Sequence, residues 1–256
     1  MSVKRRRRYG KVREAFNKMV HEVNKSIESM KFFKDGVKRM SPEIYRELRR
    51  RFGSKMDMWD FMIYQLRDKV ERAYYTPELY RDVDYIRQLA VETIDVADRI
   101  MREMVRAMYT STNRWLAGVR QALREAREVA EPDHLRIRLA EMEKALDEVE
   151  KLLAKVRSVD AMEGIRIVAE IKHKVVNNIE WGLVEAMGAK DVSICSPDHW
   201  GETVEGPLYV KLYDICKSAY THVSVLDILQ LIYGEVRYMK KYAEELLRQV
   251  DASQAS

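Results

Sequence analysis

The sequence has few of the residues that interrupt helices or cross-link small folds. Its 256 residues include 5 Pro, 10 Gly and 2 Cys. This composition excludes a collagen-like repeat and a disulfide-rich scaffold, and the 46% content of apolar residues excludes an intrinsically disordered chain. A chain of this length can bury a sizeable core, either as one large domain or as two modest ones.

Long apolar runs are lacking as well. The most apolar stretch, 223–233, is short and contains Asp227 and Gln230, so the sequence predicts no transmembrane helix. No apolar segment follows the basic start, where Glu14 and Lys18 come instead, so no secretory signal peptide is predicted. We therefore expect the protein inside a cell or inside a virion. Asn and Gln total 11, and a low content of these residues is typical of heat-adapted proteins.

Charge is abundant and unevenly distributed. Residues 1–56 hold 18 Lys and Arg against 6 Asp and Glu, a net charge of +12. Because the whole chain has 46 basic and 41 acidic residues, positions 57–256 carry 28 against 35, a net charge of −7. The formal net charge of +5 is thus the difference between a basic segment and an acidic body. Such asymmetry indicates an arm or face for nucleic acid or for an anionic membrane.

Apolar residues recur at three- and four-residue spacing through most of the chain. This periodicity predicts an all-α fold of about seven helices. Helix starts are predicted where a capping residue precedes proline, at Ser41-Pro42 and Thr76-Pro77, and Gly53 is predicted to end a short helix. Further helix caps are predicted at Ser54, Asp160 and Thr221.

One very long helix is predicted at about 78–131, because this stretch contains no Pro and one Gly. A straight helix of that length would exceed the width of a compact domain, so we expect a bend or break near 109–113, where β-branched and cap-forming residues cluster. The region 189–210 contains Gly and Pro and predicts an irregular loop. Residues 208–216 fit a short strand and a helix equally well.

Three segments are distinguished within what we interpret as one continuous fold. Residues 1–56 form a basic arm and clamp helices, residues 57–187 a helical core with the long helix, and residues 188–256 the loop region with a C-terminal helix.

Three groups of basic residues are predicted to bind nucleic acid, since the planar guanidinium of Arg binds phosphate in a bidentate manner. The arm comprises Lys4, Arg5, Arg6, Arg7, Arg8 and Lys11; the clamp comprises Arg46, Arg49, Arg50, Arg51 and Lys55; the stripe comprises Arg99, Arg102, Arg106, Arg114, Arg120, Arg124 and Arg127. The stripe falls within an arc of about 140° on the long helix, opposite an apolar face. The alternative for the stripe is ordinary solvated surface, and for the arm a disordered solubilising tail.

No helix-turn-helix, zinc-finger, RNA-recognition or KH signature is present, so the sequence predicts contacts to phosphates without base specificity. The leading hypothesis is a non-enzymatic structural protein, without a cofactor, that coats or packages nucleic acid as a homo- or hetero-oligomer. DNA is favoured slightly over RNA as the partner. At the level of fold, the pattern suits a nucleoprotein or capsid protein of a virus of a hyperthermophile.

Both cysteines and two of the five histidines lie close together in the sequence. Cys195, His199, Cys216 and His222 have the ligand types of a structural zinc site, although their spacing is uncommon. A Cys195–Cys216 disulfide and two unlinked buried cysteines are the alternatives.

Two functions of other classes stay open. Arg166 and His173, with Asn177 on the same helical face, fit the loose R-x4–6-H pattern of HEPN-type ribonucleases. Alternatively, the basic helices could bind an anionic membrane surface or another protein. No Gly-rich phosphate loop or H-E-x-x-H motif is present.

Overall fold

The computed structural model describes residues 3–131, 133–200 and 206–254, with side chains from Tyr9 onward. Every regular element in these ranges is helical, which confirms the all-α prediction. The α-helices are α1 (Val3–Met40), α2 (Pro42–Tyr75), α3 (Pro77–Arg81), α4 (Val83–Glu128), α5 (Asp133–Val156), α6 (Ala161–Lys174), α7 (Trp181–Ala186) and α8 (Pro207–Gln254). A π-helical turn, Val175–Glu180, joins α6 to α7 without a break, and two 3₁₀ helices, Val192–Cys195 and Pro197–His199, precede α8.

Several predicted helix boundaries are confirmed. α2 begins at Pro42 and α3 at Pro77, as predicted, although the side chain of Thr76 makes no capping hydrogen bond. The carboxylate of Asp160 accepts a hydrogen bond of 2.9 Å from the backbone N–H of Glu163, which satisfies a donor that the first turn of α6 leaves unpaired. Gly188, two residues after α7, has a φ of 68°, a left-handed conformation that glycine adopts without strain.

Other predicted boundaries are wrong. α2 continues through Gly53 and Ser54, where Phe52 and Met56 are buried on its apolar face. Burial of this kind outweighs the cost of about 1 kcal/mol for a glycine inside a helix. Residues 208–216 belong to α8, so the short strand is not formed, and α8 passes Thr221 without interruption.

The long helix begins later than predicted, and it is continuous through 109–113, where a bend or break is expected. The carboxylate of Asp82 accepts hydrogen bonds from the backbone N–H groups of Asp84 and Tyr85, at 3.1 and 3.0 Å, and so caps a new helix. From there α4 runs for 46 residues through the expected break at 109–113. The hydroxyl of Thr110 donates to the carbonyl oxygen of Arg106 at 2.9 Å, so this β-branched residue is accommodated within the helix.

The chain divides into two compact units that each combine stretches from all three segments distinguished in the sequence. The first unit comprises Met1–Gly36, Phe52–Glu103 and Leu231–Ser256. Its most deeply buried side chains include Phe16, Met19, Met56, Ile63, Leu66, Ile86, Leu89 and Ile100. An ion pair of 2.8 Å between Lys240 and Asp98 joins α8 to α4 within this unit.

The second unit comprises Val37–Arg51 and Met104–Gln230. Its core includes Leu48, Met104, Met108, Leu123, Leu139, Leu146, Ile171, Ile179 and Leu212. α6 approaches α4 closely at Gly164, where an added Cβ would lie 2.7 Å from Cγ1 of Val105. Across the described ranges, no helix combines the length and the apolarity that crossing a membrane requires.

Two glycine substitutions in the second unit should have opposite effects on stability. Gly164→Ala should lower the free energy of unfolding, because the new methyl group would overlap Val105, whose branched side chain has little freedom to rotate. Gly118→Ala should raise it by up to about 1 kcal/mol, because that glycine lies exposed within α4 with no atom near its Cβ position. Chemical denaturation of both variants would measure the difference. Stabilisation by Gly164→Ala would contradict the close helix contact.

Candidate nucleic-acid interface

Three arginines of the predicted stripe stand exposed on α4 within the second unit. Arg106, Arg114 and Arg124 have no carboxylate within ion-pair distance in the part of the chain that the structure describes. The opposite face of α4 is buried, with Met108 and Leu123 fully inaccessible to solvent. The helix therefore holds these three guanidinium groups in water on a fixed scaffold.

Two other arginines of the stripe are engaged by α5. Arg120 pairs with Asp147 at 2.6 Å and with Glu150 at 3.0 Å, and Arg127 pairs with Glu143 at 3.3 Å. At about 100° per residue, Arg120 and Arg127 lie at one edge of the stripe, the edge that faces α5. These pairs join two helices and leave the middle of the stripe open.

Two arginines of the stripe belong to the first unit. Arg99 pairs with Glu103 at 3.1 Å, and the other oxygen of this carboxylate accepts a hydrogen bond from the indole N–H of Trp59 at 3.3 Å. Arg102 is exposed, and no ion pair involves it among the described residues.

The clamp is less available for an anion than its sequence indicates. Arg46 pairs with Glu43 at 3.1 Å, and Arg50 binds Glu47 through two hydrogen bonds of 2.9 and 2.8 Å. Arg51 also pairs with Glu47, and its side chain is 18% exposed. The remaining members, Arg49 and Lys55, are exposed.

The residues of the arm lie at the beginning of α1. The backbone of α1 is helical from Val3, and Lys11 is exposed on it. The side chains of Lys4 to Arg8 lie outside the described part of the structure, so the prediction for this cluster stays a prediction.

The zinc site for which Cys195, His199, Cys216 and His222 are candidates is not formed. Cys195 and Cys216 are joined in a disulfide with a Cα–Cα distance of 5.1 Å, so neither sulfur is a thiolate that could bind a metal ion. Within the described ranges, no group of three His, Cys, Asp or Glu side chains is arranged to hold a metal. The disulfide was one of the alternatives that the sequence left open.

His222 has a structural role instead. Its ring is fully buried and stacks on Trp115, with ring centroids 4.7 Å apart and planes 2° from parallel. Because Arg51 is always a donor, Nδ1 of His222 accepts from its guanidinium at 3.1 Å, and Nε2 donates to the hydroxyl of Thr112 at 3.2 Å. Burial and the nearby positive charge of Arg51 lower the pKa of His222 to about 3, so the ring stays neutral.

One buried carboxyl group in the second unit was missed by the sequence reasoning. Glu180 ends the π-helical turn, is 3% exposed, and its Oε1 has no hydrogen-bond partner among the described groups. Burial, with the negative charge of Asp227 added, raises the pKa of Glu180 to about 7. An α-helical periodicity cannot reveal this position, because the extra residue in each π-helical turn rotates Glu180 toward the core.

The residues of the ribonuclease pattern lie exposed on one side of α6 and the π-helical turn. Arg166 pairs with Glu163 at 3.0 Å, and His173 and Asn177 are exposed nearby along the helix. The geometry thus places these side chains in solvent.

No protein-family model, no curated protein and no solved structure matches the chain.

The buried position of Glu180 should make stability fall as pH rises. The folded state raises the pKa of this carboxyl group from 4.5 to about 7, so its contribution is complete below pH 4.5 and is lost as pH rises through 7. The loss should approach about 3 kcal/mol for a shift of this size. Glu180→Gln is neutral at every pH and should remove this fall, as followed by chemical denaturation between pH 4 and 8.

The matched control is Glu170→Gln, which replaces an exposed glutamate on α6. It should leave the pH profile of the wild-type protein unchanged. Equal profiles for Glu180→Gln and the wild-type protein would contradict the assignment of a proton to Glu180.

Proposed function

We propose that this protein is a non-enzymatic structural protein that coats or packages nucleic acid through contacts between arginines and phosphates. The observation that supports this most strongly is the row of exposed arginines in the second unit, Arg106, Arg114 and Arg124, which have no carboxylate partner among the described residues. Two other members of the same stripe, Arg120 and Arg127, are by contrast paired with carboxylates of α5.

The spacing of the row suits an extended polyanion. Arg106 and Arg124 are 18 residues apart, which is five helical turns, so they project from the same side of α4 at a separation of about 27 Å. Arg114 lies between them and about 80° around the helix. A phosphate backbone carries charges at close, regular intervals over such a length and can meet each guanidinium group without any particular base sequence.

The roles that we propose for other predicted contact residues depend on whether their side chains are already paired within the protein. The arm, Lys4 to Arg8 with Lys11, is proposed as a separate contact with the same kind of polymer, made by the first unit. Arg51 is excluded from the interface, because its guanidinium is committed to Glu47 and His222. Arg120 and Arg127 are proposed to position α5 against α4 rather than to bind phosphate directly.

The distribution of charge supports assembly on the polymer. The body after residue 56 has a net charge of −7, whereas the first 56 residues have +12. Several copies could therefore share one polyanion, with basic surfaces inward and acidic surfaces outward, without strong mutual repulsion. We propose DNA as the polymer, and we propose that the protein is a nucleoprotein or capsid protein of a virus that infects a hyperthermophile.

Removal of the exposed row should weaken binding steeply. With about eight phosphate contacts, binding to duplex DNA should show a log–log salt slope near −7. The triple variant Arg106→Gln, Arg114→Gln, Arg124→Gln should reduce the magnitude of this slope by nearly 3 and the affinity at 0.1 M salt by roughly two to three orders of magnitude. Fluorescence anisotropy across a salt series measures both quantities.

A triple variant elsewhere in the second unit provides the charge-matched control. Arg138, Arg157 and Arg166 are exposed, and each already has an intramolecular contact, with Glu185, the ring of Tyr109 and Glu163 respectively. Their replacement by Gln should change affinity far less. If both triple variants lost the same affinity for duplex DNA, the loss would come from net charge alone and not from the exposed row. If the wild-type protein did not bind DNA at 50 mM salt, the proposed function would be refuted.

Deletion of residues 1–8 should weaken binding to all sequences alike, because phosphate contacts carry no sequence information. Competition experiments with unrelated DNA sequences of equal length measure this. A change in sequence preference on deletion would show that the arm reads bases.

Two further assays with the same purified protein distinguish the alternative functions. Degradation of RNA that is lost in His173→Ala while RNA binding persists would indicate a ribonuclease. Flotation with anionic liposomes, combined with an absence of nucleic-acid binding, would indicate a membrane-surface protein.

A further inference from the structure

A groove of about 420 Å³ lies in the first unit, between the beginning of α1 and the end of α8. α1 contributes Lys11 and Lys18 to its lining, and α8 contributes Lys241 and Arg248. The two residues of each pair are seven positions apart, which is two helical turns or about 10 Å. Each wall of the groove therefore carries two cations at similar spacing.

Two carboxylates also line the groove, and neighbouring side chains engage both. Glu14 binds Lys18 at 2.8 Å, and Glu245 accepts from Arg248 at 2.6 Å and from the amide of Gln249 at 2.9 Å. These interactions neutralise one cation on each wall.

The other cation on each wall belongs to no ion pair of the described residues. In the described part of the chain, neither Lys11 nor Lys241 has a carboxylate partner, and the ammonium group of Lys241 lies 5.7 Å from the ring centroid of Tyr242. The groove therefore keeps a net positive charge of two from these lysines, one on α1 and one on α8.

An aromatic ring completes the lining. Tyr242 lies half-buried in the groove beside Lys241. Cations that contact the backbone, combined with an aromatic ring on which a base can stack, are the features by which proteins bind single strands without sequence preference. A double helix exposes its phosphates to the lysines, but the faces of its bases are covered by the neighbouring bases. It therefore cannot place a base on the ring of Tyr242.

We infer that this groove binds a single-stranded segment of nucleic acid, with Lys11 and Lys241 at phosphates and a base stacked on Tyr242. This inference rests on the proposed nucleic-acid-binding function and deepens it by naming the strand form that the first unit recognises. The groove also continues the arm, because the helical backbone of α1 places Lys4 two turns before Lys11.

The charged part of the site can be tested with the full chain and the single strand dT20. The double variant Lys11→Gln, Lys241→Gln should lower the affinity for dT20 at 0.1 M salt by roughly 20-fold, the loss expected for two phosphate contacts on a single strand. The control Lys144→Gln, Lys151→Gln removes two exposed lysines that are also seven residues apart, on α5. Equal effects of the two double variants would overturn the inference.

The aromatic part of the site can be tested separately. Tyr242→Leu should weaken dT20 binding by about 5- to 100-fold, whereas Tyr242→Phe should retain it, because stacking needs the ring and not the hydroxyl group. Duplex affinity should be the same in all three proteins. Photo-crosslinking with 5-iodouracil in dT20 should modify Tyr242, as located by mass spectrometry. A crosslink confined to other residues, or equal loss of duplex binding in Tyr242→Leu, would overturn the inference.

The stripe triple variant distinguishes an error in the groove inference from an error in the proposed function. If the stripe triple variant loses affinity and the groove variants do not, the groove inference is wrong while the proposed function stands. If the wild-type protein binds neither dT20 nor duplex DNA, the proposed function fails and the groove inference fails with it.

Discussion

The structure depends on the burial of one side of α4, a helix of 46 residues. Its early part supplies Ile86, Leu89 and Ile100 to the core of the first unit, and its later part supplies Met108 and Leu123 to that of the second. A helix that buries one face along its whole length must present the other to water. On α4 the face away from the core carries seven arginines between Arg99 and Arg127, so the hydrophobic burial that stabilises the fold also fixes the positions of these cations.

Which arginines remain available is decided by the carboxylates within reach. On α2, Glu43 and Glu47 engage three members of the clamp, each of which lies three or four residues after its carboxylate partner. On α4, the carboxylates of α5 reach only one edge of the stripe, at Arg120 and Arg127. A dense basic cluster in the sequence can therefore be internally neutralised, whereas a sparse row along a helix can stay open. In the groove of the first unit, Lys18 is likewise neutralised by a neighbouring carboxylate, that of Glu14, whereas Lys11 belongs to no ion pair of the described residues.

The sequence predicts the all-α class and those helix starts whose cause is local, such as Pro42 and the cap at Asp160. It fails where a distant contact outweighs a local preference. Gly53 lies inside α2 because the flanking apolar residues are buried, and Glu180 is buried because a π-helical turn shifts the helical register. The pairs between the stripe and α5 join residues 16 to 30 positions apart on two helices, so no local pattern indicates them.

The exposed row on α4 costs the free protein little, so the surface is stable whether or not the proposed nucleic acid is bound. Arg106, Arg114 and Arg124 follow one another at intervals of about 12 and 15 Å along the helix. Screening in physiological salt is effective beyond about 8 Å, so their mutual repulsion in water is weak. A phosphate backbone that lies along the row places a negative charge close to each guanidinium group and releases condensed counterions at each contact. The spacing therefore limits repulsion in the free state while retaining the full electrostatic gain in the bound state, which a dense cluster would not do.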